Sequence, residues 1–281
     1  MSALPARRPL LVQRLSRAVL PVYTALAVIY LFVPIAVMIA FSFNDPLGRQ
    51  NITWQGFTLE NYVQVWSRSD ITGPMVSSLI VAVAATIVAT ILGTLIGLAL
   101  TRYEFRGRGP LNLLIYVPMA TPEVIMGASL LAMWVTLDFQ RGLPTIIIAH
   151  VMFNISFVVV TIRARLAGFN RSLEEAAMDL GADEWTTFRK VTLPLIMPGI
   201  LAAALLAFAL SIDDYVITSF VSGQTTTFPL WVYGASRFGV PPEVNVLGTL
   251  IFAIAFAFIA LQILWTRRGR RSTARPLEVE R

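Results

Sequence analysis

Apolar residues occur along this chain in long runs that contain almost no charge. The runs cover residues 19–43, 75–100, 111–135, 144–162, 195–220 and 244–265. A helix that crosses a bilayer needs about 20 consecutive apolar residues, so the pattern predicts six transmembrane helices. The first run is longer than the apolar region of a secretory signal peptide, and we expect it to remain as an anchor. Residues 19–265 then form the membrane domain, between a segment at 1–18 and a tail at 266–281.

Composition supports this interpretation. Hydrophobic residues make up 56% of the 281 residues and charged residues 14%, and the mean hydropathy is +0.71. These values predict an all-α integral membrane protein. The chain contains no cysteine and one histidine, His150, which excludes disulfides, thiolate metal sites and a multi-histidine metal cluster. Its only lysine, Lys190, follows Arg189, so the Gly-Lys pair of a P-loop is absent. We expect neither a metal nor another cofactor in this chain.

The basic residues predict how the chain is oriented. Of the 22 lysines and arginines, all but four fall before the first span, after the second, after the fourth or in the tail. The four exceptions are Arg49, Arg68, Arg141 and Arg237. Basic residues that flank spans stay on the cytoplasmic side, so we expect both termini to be cytoplasmic. Arginines beside anionic headgroups also explain the net charge of +6 without nucleic acid as a partner.

The fourth connection, residues 163–194, carries its own pattern of short helices. Ser172 and Glu175 have the spacing of a capping box, which predicts a helix over residues 173–180. Gly181 suits a left-handed turn, and Asp183 can cap a second helix that ends before Pro194. An ordered loop without a further role fits this pattern as well. A DNA-binding helix-turn-helix also fits two short helices joined at a glycine, but the adjoining spans hold the segment at the bilayer surface, which disfavours contact with DNA.

The same connection resembles a known family at specific positions. Its sequence is similar to the EAA loop of binding-protein-dependent ABC importer permeases at six residues: Glu175, Ala176, Ala177, Gly181, Leu193 and Pro194. Further segments, among them PMATPEVIMGASLL and FALSIDDYVITSFVSG, resemble permeases of spermidine/putrescine importers. The resemblance implies the type I ABC importer permease fold, with the six residues acting as a cytoplasmic coupling loop.

The resemblance also implies a set of partners. These are a second permease subunit, two ATPase subunits that bind ATP and magnesium, and an external substrate-binding protein. The expected location is the inner membrane of a bacterium. In such an assembly the chain is not itself an enzyme, because the ATPase subunits hydrolyse ATP and the coupling loop transmits their closure to the spans.

Acidic residues inside the predicted spans are candidates for the substrate pathway. Glu123 lies in the third span directly after Pro122, where we expect the helix to be kinked or broken. Asp213 and Asp214 lie in the fifth span, and consecutive helical positions point about 100° apart, so the two are not expected to face one cavity. Charges in a membrane usually face a cavity or a partner. The rings of Tyr215 and Trp134 offer faces to ammonium groups.

Three other patterns have more general interpretations. His150 and Asn154 share one stripe of the fourth span and are expected to bond to neighbouring helices. Gly93, Gly97 and Thr101 form a small-residue stripe, which suits close helix packing or a subunit seam. Thr58, in the connection after the first span, can cap a short helix that runs through Trp66.

The sequence gives less support to two other classes of function. An ion-coupled secondary carrier should show duplicated spans, and no repeat is evident between the halves. A membrane enzyme would need a nucleophile, base and metal set, and the sequence offers none.

Overall fold

The computed structural model describes residues 10–48 and 50–272, and within them every regular element is helical apart from one isolated antiparallel bridge between Asn44 and Phe57. Residues 1–9 and 273–281, which belong to the predicted terminal segments, and Arg49 lie outside this description. The helices are α1 (Leu10–Phe41), α2 (Glu60–Gln64), α3 (Ser69–Arg102), α4 (Arg108–Ala120), α5 (Glu123–Thr136), α6 (Leu143–Ala167), α7 (Ser172–Asp179), α8 (Glu184–Thr187), α9 (Leu193–Ile212), α10 (Val216–Val221), α11 (Phe228–Ser236) and α12 (Pro242–Ser272).

The predicted spans all fall on helices, but not all of these helices are long enough to cross a bilayer. Within the described residues, four stretches are long and apolar enough to cross a bilayer: Val19–Phe41, Ser69–Arg102, Leu143–Ala167 and Glu184–Ile212. The third predicted span is a pair of helices, α4 and α5, bent by 106°. The sixth coincides with α12, whose shorter apolar stretch is Pro242–Ala257. If the bent pair is counted as one span, apolar helices of spanning length match five of the six predicted spans. The count of six stays a prediction.

The chain divides into two compact units, one made of Ser69–Gly234 and the other of the residues before and after it. In the second of these, α1 packs on α12, and the connection that follows α1 folds against α12. Asn44 organises that connection, since its side chain bonds to Asn51, to the carbonyl of Thr53 and to the N–H of Gln55. Thr58 accepts a bond from the N–H of Glu60 at the start of α2, as the sequence predicts.

The unit Ser69–Gly234 is built around α3, α6 and α9. Ala89 of α3, Val158 and Ile162 of α6, and Ala203 of α9 belong to one buried cluster. The two halves of the bent pair belong to different buried clusters, because α4 packs with Val159 of α6 and α5 joins a cluster that includes Ala149. Of the two halves, α4 contacts α6 directly, whereas α5 packs chiefly on α10.

Two glycines of α3 allow α6 to approach closely. A Cβ atom at Gly93 would lie 2.6 Å from Cγ1 of Val158, and one at Gly97 would lie 3.0 Å from Cγ2 of Ile162. Of the two interpretations of the small-residue stripe, the structure supports packing within the chain.

Gly93→Val should therefore overpack the α3–α6 contact and destabilise the protein by about 1–3 kcal/mol. A matched control is Gly73→Val in the same helix, since nothing lies within 4 Å of a Cβ atom there. The midpoint of thermal unfolding of the purified protein measures the difference. Equal midpoints for the two variants would contradict the close packing described here.

Candidate functional site

The connection between α6 and α9 forms two short helices joined by a glycine turn. The helix α7 covers Ser172–Asp179 and α8 covers Glu184–Thr187. Gly181 has φ +89, a left-handed conformation that is costly for residues with a side chain. The predicted first helix and its glycine turn are confirmed in position.

The capping details differ from the prediction. Ser172 is the first residue of α7 rather than its cap, and the residue in the cap position, Arg171, makes no side-chain capping bond. The carboxamide oxygen of Asn170 accepts the N–H of Ser172 instead, because an amide two residues before the exposed donor reaches it equally well. Asp183 precedes α8 in an extended conformation, and a hydrogen bond from Thr186 lowers the pKa of its carboxyl group. This loop therefore favours the charged aspartate, and the benefit is lost when the pH falls through that lowered pKa.

The predicted end of the second helix before Pro194 is wrong. After α8 the chain makes one π-helical turn, Phe188–Thr192, and continues directly into α9 at Leu193. Pro194 lies in the first turn of α9, where its missing N–H costs little. A wide turn that carries an extra residue before it also relieves the clash that a proline makes with the preceding turn.

The surface of this loop is largely uncovered by the rest of the chain. No residue of α7 is buried, and Glu175 and Ala176 are exposed while Ala177 is half-buried. The apolar side chain of Leu180 is 90% exposed and that of Trp185 is 64% exposed. An ordered helix with exposed apolar neighbours on the loop suits contact with another protein.

A polar cluster joins α7 to the membrane helices. Both guanidinium nitrogens of Arg102, the last residue of α3, donate to the carboxylate of Glu174, and the hydroxyl of Thr192 also donates to it at 2.5 Å. The guanidinium carbon of Arg102 lies 4.9 Å from the centre of the Phe169 ring. Sequence reasoning missed this cluster, because residues 102, 174 and 192 are far apart in the chain and no local spacing connects them.

The two adjacent aspartates occupy different environments at a break between α9 and α10. The carboxylate of Asp214 accepts the N–H and the hydroxyl of Thr218, at 2.8 and 2.6 Å. Since that hydroxyl proton is given to Asp214, the oxygen of Thr218 accepts from Nε2 of His150, 2.9 Å away. Nδ1 of His150 bonds to Ser211 at 2.6 Å. The Asp214 side chain is 8% exposed, whereas Asp213 is exposed.

The other three candidate pathway residues, Glu123, Tyr215 and Trp134, also lie in different environments. Glu123 is exposed and begins α5, immediately after the bend at Pro122, so the predicted break in the third span is confirmed. The Tyr215 ring lies 4.5 Å from the ring of Tyr233. Trp134 is only 7% exposed within the packed core, which corrects the expectation that its ring face is open to a ligand. The predicted helix contacts of His150 and Asn154 are confirmed, since the Asn154 amide donates to the carbonyl of Ala207.

Comparison with known proteins identifies the family. Residues 89–266 match the model for the binding-protein-dependent transport system inner membrane component. The chain belongs to this family. The permease is 39% identical to the spermidine/putrescine transport system permease protein PotC of Escherichia coli K12, with 85% of this chain and 90% of that protein covered. It is 38% identical to the putrescine transport system permease protein PotI of the same organism, with 90% of this chain and 91% of that protein covered.

Solved structures confirm the fold of an ABC importer permease. A bacterial ABC transporter involved in the import of alginate aligns with a TM-score of 0.66 at 15% identity, over 94% of this permease and 99% of that chain. The MetNI methionine ABC transporter aligns with a TM-score of 0.56 at 17% identity, over 73% of this permease and 96% of that chain. The likeness extends over most of the chain and concerns its architecture alone. The relatives are transport subunits, and none of their names describes an enzyme.

Thr218→Val tests the buried network at the α9–α10 break. It keeps the shape of the side chain but removes the hydroxyl that serves both Asp214 and His150, so we expect a loss of about 1–3 kcal/mol in the free energy of unfolding. Thermal unfolding of the purified protein measures it.

The neighbouring Ser219→Ala is its control, because Ser219 is exposed and its hydroxyl donates to the nearby backbone carbonyl of Val216. A Thr218→Val protein as stable as the Ser219→Ala protein would argue against a stabilising network.

Proposed function

We propose that this permease is one membrane subunit of an ATP-driven importer of polyamines. The observation that carries the proposal is its 38–39% identity, over 85–90% of its length, to permeases named for spermidine and putrescine transport. It pairs with a second, similar permease to enclose the pathway. An external binding protein delivers the polyamine, and two cytoplasmic ATPase subunits bind ATP and magnesium and drive the cycle.

The orientation proposed from the basic residues places the loop between α6 and α9 in the cytoplasm, where ATPase subunits can reach it. Its ordered helices and exposed Glu175, Ala176 and Leu180 suit a docking surface. Gly181 sets the angle between α7 and α8, and Leu193 and Pro194 begin the span that follows. The assembly is open inward at rest and opens outward when ATP brings the ATPases together. Reversing such a gate takes a bias of roughly 5.5 kcal/mol, which a rigid helix transmits better than a flexible loop.

A polyamine carries several ammonium groups, so a pathway for it benefits from carboxylates that are not already bonded within the protein. Asp213 and Glu123 are both exposed, and we assign them to the pathway, with Tyr215 offering a ring face nearby. Asp214 is left out because its carboxylate is engaged by Thr218 and His150. Trp134 is left out because it is buried.

The direct test of the proposed function is ATP hydrolysis by the purified, membrane-reconstituted assembly. The binding protein loaded with spermidine or putrescine should stimulate hydrolysis and support uptake into the vesicles. The same binding protein mixed with an amino acid or a neutral sugar is the control. Stimulation by the control solute, and none by either polyamine, would reject the polyamine assignment.

Glu175→Lys and Gly181→Val test the coupling surface. The first reverses a charge on the docking face, and the second forces a β-branched residue into a left-handed turn at a cost of about 1–3 kcal/mol. We expect both to lower uptake by more than about tenfold while the affinity of the binding protein for substrate is unchanged.

Gly168→Val is the control in the same loop, since Gly168 has φ −91. Radiolabelled putrescine uptake measures the effect, and normal uptake by both test variants would exclude this loop from coupling.

Asp213→Asn and Asp214→Asn separate the two aspartates. Removing the exposed charge should raise the KM for polyamine uptake by roughly two- to fivefold and leave thermal stability unchanged. Removing the buried charge should lower stability instead. If Asp214→Asn raised the KM and Asp213→Asn lowered stability, Asp214 would belong to the pathway and Asp213 to the buried network.

A further inference from the structure

The cytoplasmic helix α7 has little apolar attachment to the rest of its unit. None of its eight residues is buried, and a cavity of about 550 Å³ opens beside it, lined by residues of α3, α7, α8 and the π-helical turn. Apolar packing therefore contributes little to the attachment of α7, and the polar cluster around Glu174 is its side-chain connection to α3.

The bonds of Glu174 in that cluster fix the position of α7 relative to the membrane helices. The carboxylate of Glu174 accepts from both guanidinium nitrogens of Arg102, and Glu174 and Arg102 each keep only 15% of their side-chain surface exposed. Paired bonds between a guanidinium and a carboxylate fix orientation as well as distance. The hydroxyl of Thr192 completes the carboxylate shell, and the Phe169 ring supports the guanidinium.

The two partners of Glu174 stand at the ends of the helices that form the core. Arg102 ends α3, and Thr192 immediately precedes α9. Both helices pack on α6 through one buried cluster, so a displacement imposed on Glu174 acts on the helical core at two points. Glu175, one residue further, is exposed and remains available to a docking partner.

We propose that Glu174 is the positioning residue that transmits movement of α7 to α3 and α9. The inference rests on the proposed function, in which an ATPase displaces α7. The two neighbouring acids have different roles. Glu175 belongs to the docking surface, and Glu174 connects that surface to the spans.

The first experiment measures how many polyamine molecules enter reconstituted vesicles for each ATP hydrolysed. In Glu174→Gln the carboxylate charge is lost at constant size, and this ratio should fall by at least about tenfold, as expected when charge-assisted bonds are removed, while ATP hydrolysis persists. A merely structural role would lower hydrolysis and uptake together and leave the ratio unchanged, which would overturn the proposal. Glu104→Gln is the matched control, because the Glu104–Arg108 pair is 3.7 Å apart and its glutamate is 94% exposed.

If Glu174→Gln fails to assemble, Thr192→Val and Thr192→Ser decide the question, since both retain the ion pair and only the serine retains the hydroxyl. A reduced import ratio in the valine variant alone supports the link. An unchanged ratio in both overturns it.

A second measurement needs no substrate, so it separates failure of this inference from failure of the polyamine assignment. The chain has no cysteine, and spin labels on cysteines introduced at Ile91 of α3 and Asp179 of α7 report the distance between those helices. With Glu174 intact, the distance should stay constant between the ATP-free and vanadate-trapped assemblies, because the helices move together. In Glu174→Gln it should change or broaden on trapping. An equally constant distance in both proteins would overturn the proposal, whichever solute is transported.

Discussion

Hydrocarbon offers no hydrogen bonds to a peptide group, and this constraint governs the structure. Continuous helices satisfy it along α3, α6 and α9, so each interruption of a helix needs its own solution. At the α9–α10 break, Asp214 binds the N–H and hydroxyl of Thr218. At the α4–α5 break, Pro122 has no N–H to satisfy. The adjacent acids Asp213 and Glu123, which we propose for the pathway, therefore lie at interruptions of the helices.

Much of the architecture could be predicted from the sequence because it depends on local or periodic properties. Runs of apolar residues located the helices, and Pro122 located the bend in the third span. Gly181 was predicted to take the left-handed turn because few other residues adopt it cheaply. The contact of Gly93 with α6 followed from residue size, although sequence alone could not decide between packing within the chain and a seam between subunits.

Other features could not be predicted because they depend on contacts between distant residues. The environments of Asp213 and Asp214 differ because Asp214 is engaged by Thr218 and by His150, which belongs to another helix. The burial of Trp134 likewise depends on how α5 packs. Ser172 and Glu175 have the spacing of a capping box, yet Asn170 was the residue in reach of the exposed N–H. Glu174 was overlooked beside the recognisable Glu175, since its partners lie 72 residues before it and 18 after it.

The π-helical turn at Phe188–Thr192 also alters the angular phase of the chain. Such a turn holds one residue more than an α-helical turn, and one residue corresponds to about 100° of rotation. A helical wheel drawn continuously from Glu184 to Ile212 would therefore assign the wrong sides to residues beyond the turn. The extra residue sets which flank of α9 faces α6, and the same offset brings the Thr192 hydroxyl within reach of Glu174.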